Sequence, residues 1–164
     1  MTYPNTDTSE DYNYTATGLM SRRLRETFPD HTGSTKFIVL RTLTPMEGKQ
    51  EKHVVTVQSE DYGIFLTFLT CDNVASSEYE KLLHWEMERT LIRRDGVPVY
   101  GITQCDEIVR FYRWKCDATG KGRLEKVRRG ERETFDNSVG KEYDEGLEML
   151  EEIKQHVMAT PVYG

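Results

Sequence analysis

The chain is short of cysteine, and its three residues, Cys71, Cys105 and Cys116, include no CxxC pair. An odd number without paired spacing argues against a disulfide framework and against a structural zinc site of the finger or ribbon kind. Buried or half-buried free thiols at strand ends are expected. Long hydrophobic runs are also missing, since no stretch reaches the roughly 18 apolar residues that a membrane helix requires. The N-terminal residues have neither a basic start nor an apolar core, so no secretory leader is expected; the expectation is an intracellular protein, cytoplasmic or nuclear. His31, His53, His84 and His156 show no HxxxH spacing, and no metal ligand is expected among them. Motifs of the GxSxG, HExxH and catalytic-cysteine kinds do not occur. Gly120-Lys121-Gly122 lacks the GxxxxGK[ST] frame of a phosphate loop.

What is present is charge, unevenly spread. The net charge is −6 over 164 residues, a length suited to one domain with a substantial core. Residues 1–16 carry three acids and no base, and residues 142–152 six acids and no base, which leaves the rest of the chain at +3. A bulk nucleic-acid binder needs many uncompensated Lys and Arg, and this distribution does not supply them. Residues 1–16 have almost no aliphatic side chains to offset the entropy of ordering, so a flexible tail is expected there. A single domain over 17–158 and a loose end over 159–164 complete the expected organisation.

Residues 17–28 read as a helix with Leu19, Met20, Leu24 and Phe28 on one side, ended by Pro29. Three strands follow over 36–44, 53–58 and 63–70, with connections short enough for an antiparallel meander. The third is apolar on both faces and is expected at the centre of the sheet. A long helix comes next, with Ser77 and Glu80 spaced as a capping box and Gly96 placed to end it. Tyr79, Leu82, Leu83 and Met87 form one apolar stripe; Trp85 and Ile92 lie on a second face, so the helix is expected to be covered on both sides. Trp85 is expected in the core, with a binding role as the alternative.

Strands over 97–103 and 107–115, a weak charged edge strand over 123–128, a polar loop over 129–140 and an amphipathic helix over 142–157 complete the order αβββαββ(β)α. The expected fold is α+β: a mixed or antiparallel sheet of five to six strands flanked by three helices.

The segment richest in binding chemistry is Arg110-Phe111-Tyr112-Arg113-Trp114. On a strand, Arg110, Tyr112 and Trp114 share a face, and such a stripe can grip a peptide or stack bases. It also arises where aromatics pack beneath a helix whose acids meet the arginines, and the acidic helix 142–152 is expected to supply those acids.

The long helix, Gly96, Val99-Tyr100-Gly101-Ile102, a tight turn at Cys105-Asp106 and Val109-Arg110-Phe111-Tyr112-Arg113-Trp114 resemble the later half of restriction-endonuclease-like (PD-(D/E)XK) domains, including fungal and bacterial versions. That resemblance implies an αβββαβ core and carboxylates holding a divalent metal such as Mg²⁺ for phosphodiester attack. It would cast Asp61 as the acid after the second core strand and Glu26 as a helix acid. The third core strand, Ile64-Phe65-Leu66-Thr67-Phe68-Leu69, carries no acid and no lysine, while Glu47-Gly48-Lys49 spells the required tripeptide in a turn. The resemblance therefore implies a degenerate active site.

The residues favour a non-catalytic protein-interaction domain without a cofactor, a scaffold or adaptor, possessing a protein partner or a second copy of itself. Arg110, Tyr112, Trp114 and Trp85 are its candidate contacts. The alternatives are a metal-dependent nuclease using Glu26 and Asp61, and a single-stranded nucleic-acid binder using Arg110, Tyr112 and Trp114.

Overall fold

The computed structural model describes residues 2–3, 15–32, 35–90 and 96–161. A short strand β1 (Thr2–Tyr3) precedes helix α1 (Ala16–Thr27) and the small pair β2 (His31–Thr32) and β3 (Thr35–Lys36). The meander β4 (Ile38–Pro45), β5 (Glu51–Ser59) and β6 (Gly63–Asp72) follows. Helix α2 (Tyr79–Thr90) leads to β7 (Tyr100–Cys105) and β8 (Ile108–Cys116), and then come β9 (Gly122–Lys126), β10 (Thr134–Asp136) and helix α3 (Gly140–Met158).

Eight strands form one mixed sheet in the order β1-β4-β5-β6-β7-β8, and β9 and β10 share the outer edge of β8. β9 pairs with the Tyr112 to Cys116 end of β8, and β10 with the Ile108 to Arg110 end. Every neighbouring pair in the sheet is antiparallel except β6 and β7, which run parallel because α2 lies between them in the chain. The α+β class and the element order are those expected, with the short edge strands β1 and β10 and the small β2–β3 pair added. Most of the expected tail lies outside the described residues, as do residues 91–95, where the end of the long helix is expected, and the last three residues of the chain.

The sheet is covered on both sides, and β6 at its centre is buried without a break from Phe65 to Cys71. On one face, Met20 and Leu24 of α1, Phe28 just after it, and Leu150, Ile153 and Val157 of α3 close over Val55, Phe68, Ile102 and Phe111. On the other, Tyr79, Leu83 and Met87 of α2 sit on Val54, Leu69, Tyr112 and Trp114. Strand β7 passes close beneath α2: a Cβ on Gly101 would come within 2.8 Å of both Leu83 Cδ2 and Met87 Sδ. No helix among the described residues is long and apolar enough to cross a membrane.

Three local expectations are corrected. Ser77 does not cap the long helix. Residues Ser76–Glu78 form a 3₁₀ turn in which Glu78 N donates to Ala75 O at 3.0 Å, and α2 begins only at Tyr79. The Tyr79 hydroxyl donates to Cys71 O at 2.7 Å, so the first turn is tied to the sheet instead of closed by a local cap. The loop expected over 129–140 contains β10, because Phe135 is fully buried against Phe111, with ring centroids 5.4 Å apart and planes at 87°. Finally, the acids of α3 do not meet the Arg110 stripe, since α3 lies on the opposite face of the sheet. Glu142 and Glu145 bind Arg132, and Glu148 and Glu152 bind Arg129.

The α1 start does follow local rules: Thr15 Oγ1 accepts from Gly18 N at 3.0 Å. Gly96 adopts a left-handed conformation, φ 83°, and the helix end it is expected to close falls among residues outside the described ones.

Candidate functional site

Helix α2 turns a single stripe to the sheet, and one position of that stripe is charged. Glu86 is 5% exposed, and its carboxylate accepts from Lys52 Nζ of β5 at 2.7 Å. Arg89, one turn further along, donates to the two oxygens of the same carboxylate at 3.1 and 3.3 Å. One buried acid thus holds two cations, and the local balance is positive.

Trp85 lies against both cations. Lys52 Nζ is 4.5 Å and Arg89 Cζ 4.6 Å from its ring centroid, within cation–π range. The residue is nevertheless 51% exposed, which overturns its expected place in the core. The reason is geometric: α2 packs on β6, β7 and β9, and no described element covers its outer side. The indole is therefore fixed at its base and open to solvent above.

The same face of the sheet continues past α2. Leu40 pairs with Thr56, Thr42 with Val54 and Thr44 with Lys52, and directly paired residues point to one side. Leu40 and Ile38 project from that side at 39% and 36% exposed, because α2 does not reach over β4. Ile38, Leu40 and Trp85 thus emerge on one side of the molecule, with the Lys52–Glu86–Arg89 cluster at the foot of the indole.

The stripe Arg110, Tyr112 and Trp114 does share a face, beneath the first half of α2. Tyr112 and Trp114 are buried, and Trp114 packs against the His84 ring with centroids 5.1 Å apart and planes tilted by 40°. Burial raises the Tyr112 hydroxyl above its ordinary pKa, opposed in part by its hydrogen bond with Thr103. Neither ring presents a free face on which a base could stack. Arg110 alone reaches the surface, in a depression of about 230 Å³ that it shares with Glu80, Thr103 and Lys126.

The residues implied by the nuclease resemblance lie on three elements. Glu26 is exposed near the end of α1, and Asp61 lies in the turn between β5 and β6. Glu47 and Lys49 are exposed in the turn between β4 and β5, at the opposite end of β5 from Asp61. A strand of nine residues spans roughly 30 Å, so Glu47 and Lys49 do not share one ion with Asp61. Thr67, in the middle of β6, is 1% exposed.

A cleft of about 330 Å³ opens on the other side of the sheet, among α1, the β7–β8 turn and the start of α3. Its guanidinium, from Arg23, stacks 3.8 Å from the Tyr143 ring centroid, and burial lowers its pKa. All three cysteines are free, as expected, but Cys116 is exposed and not even half-buried; burial pushes the Cys71 thiol up to about 11.

Two groupings escaped the sequence reading. Lys52–Glu86 joins residues 34 positions apart and carries no local signal. Glu51, His53 and Asp72 come together across β5 and β6; here the alternation Glu51-x-His53 on a strand was a visible sign that both side chains share a face.

No protein-family model, curated protein or solved structure matches the chain.

Proposed function

We propose that this chain is a non-catalytic protein-interaction domain that docks a partner on the open part of its sheet and on α2. The observation that carries this reading is Trp85, half exposed yet held in place by Lys52 and Arg89. An indole anchored in this way binds without first losing much rotamer freedom, and such aromatic anchors dominate interface energetics. Leu40 and Ile38 extend the apolar contact along β4. Two cations around one carboxylate favour an acid next to the apolar contact. The partner is accordingly a segment of another protein that carries apolar side chains flanked by Asp or Glu.

A peptide-display selection against the full chain tests this, repeated with Trp85→Ala and Leu40→Glu. Enrichment of apolar peptides bearing acids, lost with both variants and retained with Arg110→Ala, supports the reading. Recovery of the same peptides by wild type and both variants sinks it. So does sedimentation showing that this face joins two copies of the chain, or Mg²⁺-dependent cleavage of nucleic acid abolished by Asp61→Ala.

A further inference from the structure

The geometry points to a divalent transition-metal site, fitted to Zn²⁺, formed by Glu51, His53 and Asp72 at the end of the β5–β6 hairpin remote from its turn. Glu51 and His53 alternate on β5 and so project to one side, and Asp72 on β6 is paired directly with Glu51. His53 Nε2 lies 2.9 Å from Asp72 Oδ2 and 3.7 Å from Glu51 Oε2. One donor atom from each residue falls within 4.8 Å of the other two. Zinc–nitrogen and zinc–oxygen bonds of about 2.0–2.2 Å set donors about 3.3–3.5 Å apart in a tetrahedron, a spacing that the two His53 distances bracket.

The backbone is held where the site needs it. The pairing of β5 with β6 runs unbroken from Glu51 to Val57, and the one register shift lies beyond, between Val57 and Gln58. Immediately after Asp72, Asn73 adopts a left-handed conformation, φ 60°, and its side-chain amide donates to Lys49 O at 2.8 Å. That bond ties the exit of β6 to the β4–β5 turn and fixes the approach of Asp72 to Glu51. Lys52, the nearest cation in sequence, points to the opposite face and is bound to Glu86, so it does not compete for the carboxylates.

The donor set decides the class of ion. One imidazole and two carboxylates suit Zn²⁺, Mn²⁺, Fe²⁺, Co²⁺ or Ni²⁺ better than Mg²⁺ or Ca²⁺, which take oxygen ligands. Glu51 and Asp72 have side chains 44% and 60% exposed, so an ion enters from solvent and keeps at least one position for water or for a donor from a partner. The site lies away from Trp85, and its existence does not depend on the docking surface.

Titration of the full chain with ZnCl₂, followed by calorimetry, gives one saturable site, with no comparable heat from MgCl₂. His53→Ala weakens binding by at least about a hundredfold, because losing a ligand costs more than losing an outer-shell partner. Asp72→Asn weakens it as well, while both variants keep the wild-type circular dichroism spectrum. Zinc absorption spectroscopy shows nitrogen and oxygen neighbours only. No saturable binding, equal affinity in His53→Ala, or sulfur in the first coordination shell overturns the assignment. The last outcome would mean that a cysteine is the ligand.

Discussion

Lys52 Nζ and Glu86 Oε2 meet at 2.7 Å with side chains 5% and 7% exposed, which makes them a desolvated ion pair between β5 and α2. Removing one partner strands the other charge away from water. Glu86→Ala is therefore expected to lower the unfolding free energy by about 3–5 kcal/mol. The double substitution Lys52→Met with Glu86→Leu removes both charges at similar volume and recovers most of that loss. Urea unfolding of the wild type and the two variants measures it. A Glu86→Ala cost below about 1 kcal/mol, the range of exposed pairs, would show that water reaches the pair.

Gly101 and Gly122 both face side chains at close range but differ in what blocks them. A Cβ on Gly122 would sit 1.8 Å from Trp114 Cζ2, in a ring already packed on His84. At Gly101 the obstacles, at 2.8 Å, are the flexible ends of Leu83 and Met87. Gly122→Ala is expected to cost about 1–3 kcal/mol and to perturb the near-ultraviolet signal of Trp114. Gly101→Ala costs less, since the two side chains can yield. Reversal of that order would contradict the packing of Trp114 on β9.

Much of this fold is legible in local patterns, because the forces that form α1, α3 and the β4–β6 meander act over a few residues. Met20, Leu24 and Phe28 recur at helical spacing, and the apolar run from Phe65 to Leu69 marks a strand covered twice. Ser77 misled because a capping box is a local preference, and the Tyr79 hydroxyl bond to Cys71 O outweighs it from across the fold. Phe135 gave no signal, as a single aromatic among polar residues becomes a strand only when Phe111 is there to meet it. Trp85 misled for a related reason. Periodicity shows that a helix has a second apolar face, and says nothing about whether another element covers it. Asp72 was within reach of a closer reading, since the turn at 60–62 folds β6 back on β5 and brings the far ends of the hairpin together.

The two tryptophans should separate cleanly in solution. Trp85 is 51% exposed and Trp114 8% exposed, so acrylamide quenches the first and leaves the second largely protected. Trp85→Phe is expected to remove the quenchable, red-shifted component of the emission. Its cost in stability stays within about 1 kcal/mol, the scale of one exposed cation–π contact. An unquenchable spectrum in the wild-type chain would place Trp85 under cover and remove the support for the docking surface.

The cysteines provide a test of burial that depends on pH in a defined direction. Cys116 is exposed, Cys105 half-buried and Cys71 buried, with desolvation raising the Cys71 thiol to about 11. Lys52, the main opposing influence, pulls the other way but does not cancel the burial. Only the thiolate reacts with iodoacetamide, so at about pH 8 Cys116 is alkylated first and Cys71 last. The same shift affects stability. A thiol whose folded pKa is raised holds its proton more tightly than in the unfolded chain, so its contribution is intact below the unfolded value, near 9, and is lost as pH rises from there toward 11. Cys71→Ser lacks that ionisation, so the wild type should lose more stability than the variant between those two pH values. Peptide mass spectrometry after timed alkylation reports the order of reaction. Alkylation of Cys71 as fast as Cys116 would mean that α2 lifts from the sheet on the time scale of the reaction, because the Tyr79 hydroxyl bond to Cys71 O has to break for reagent to enter there.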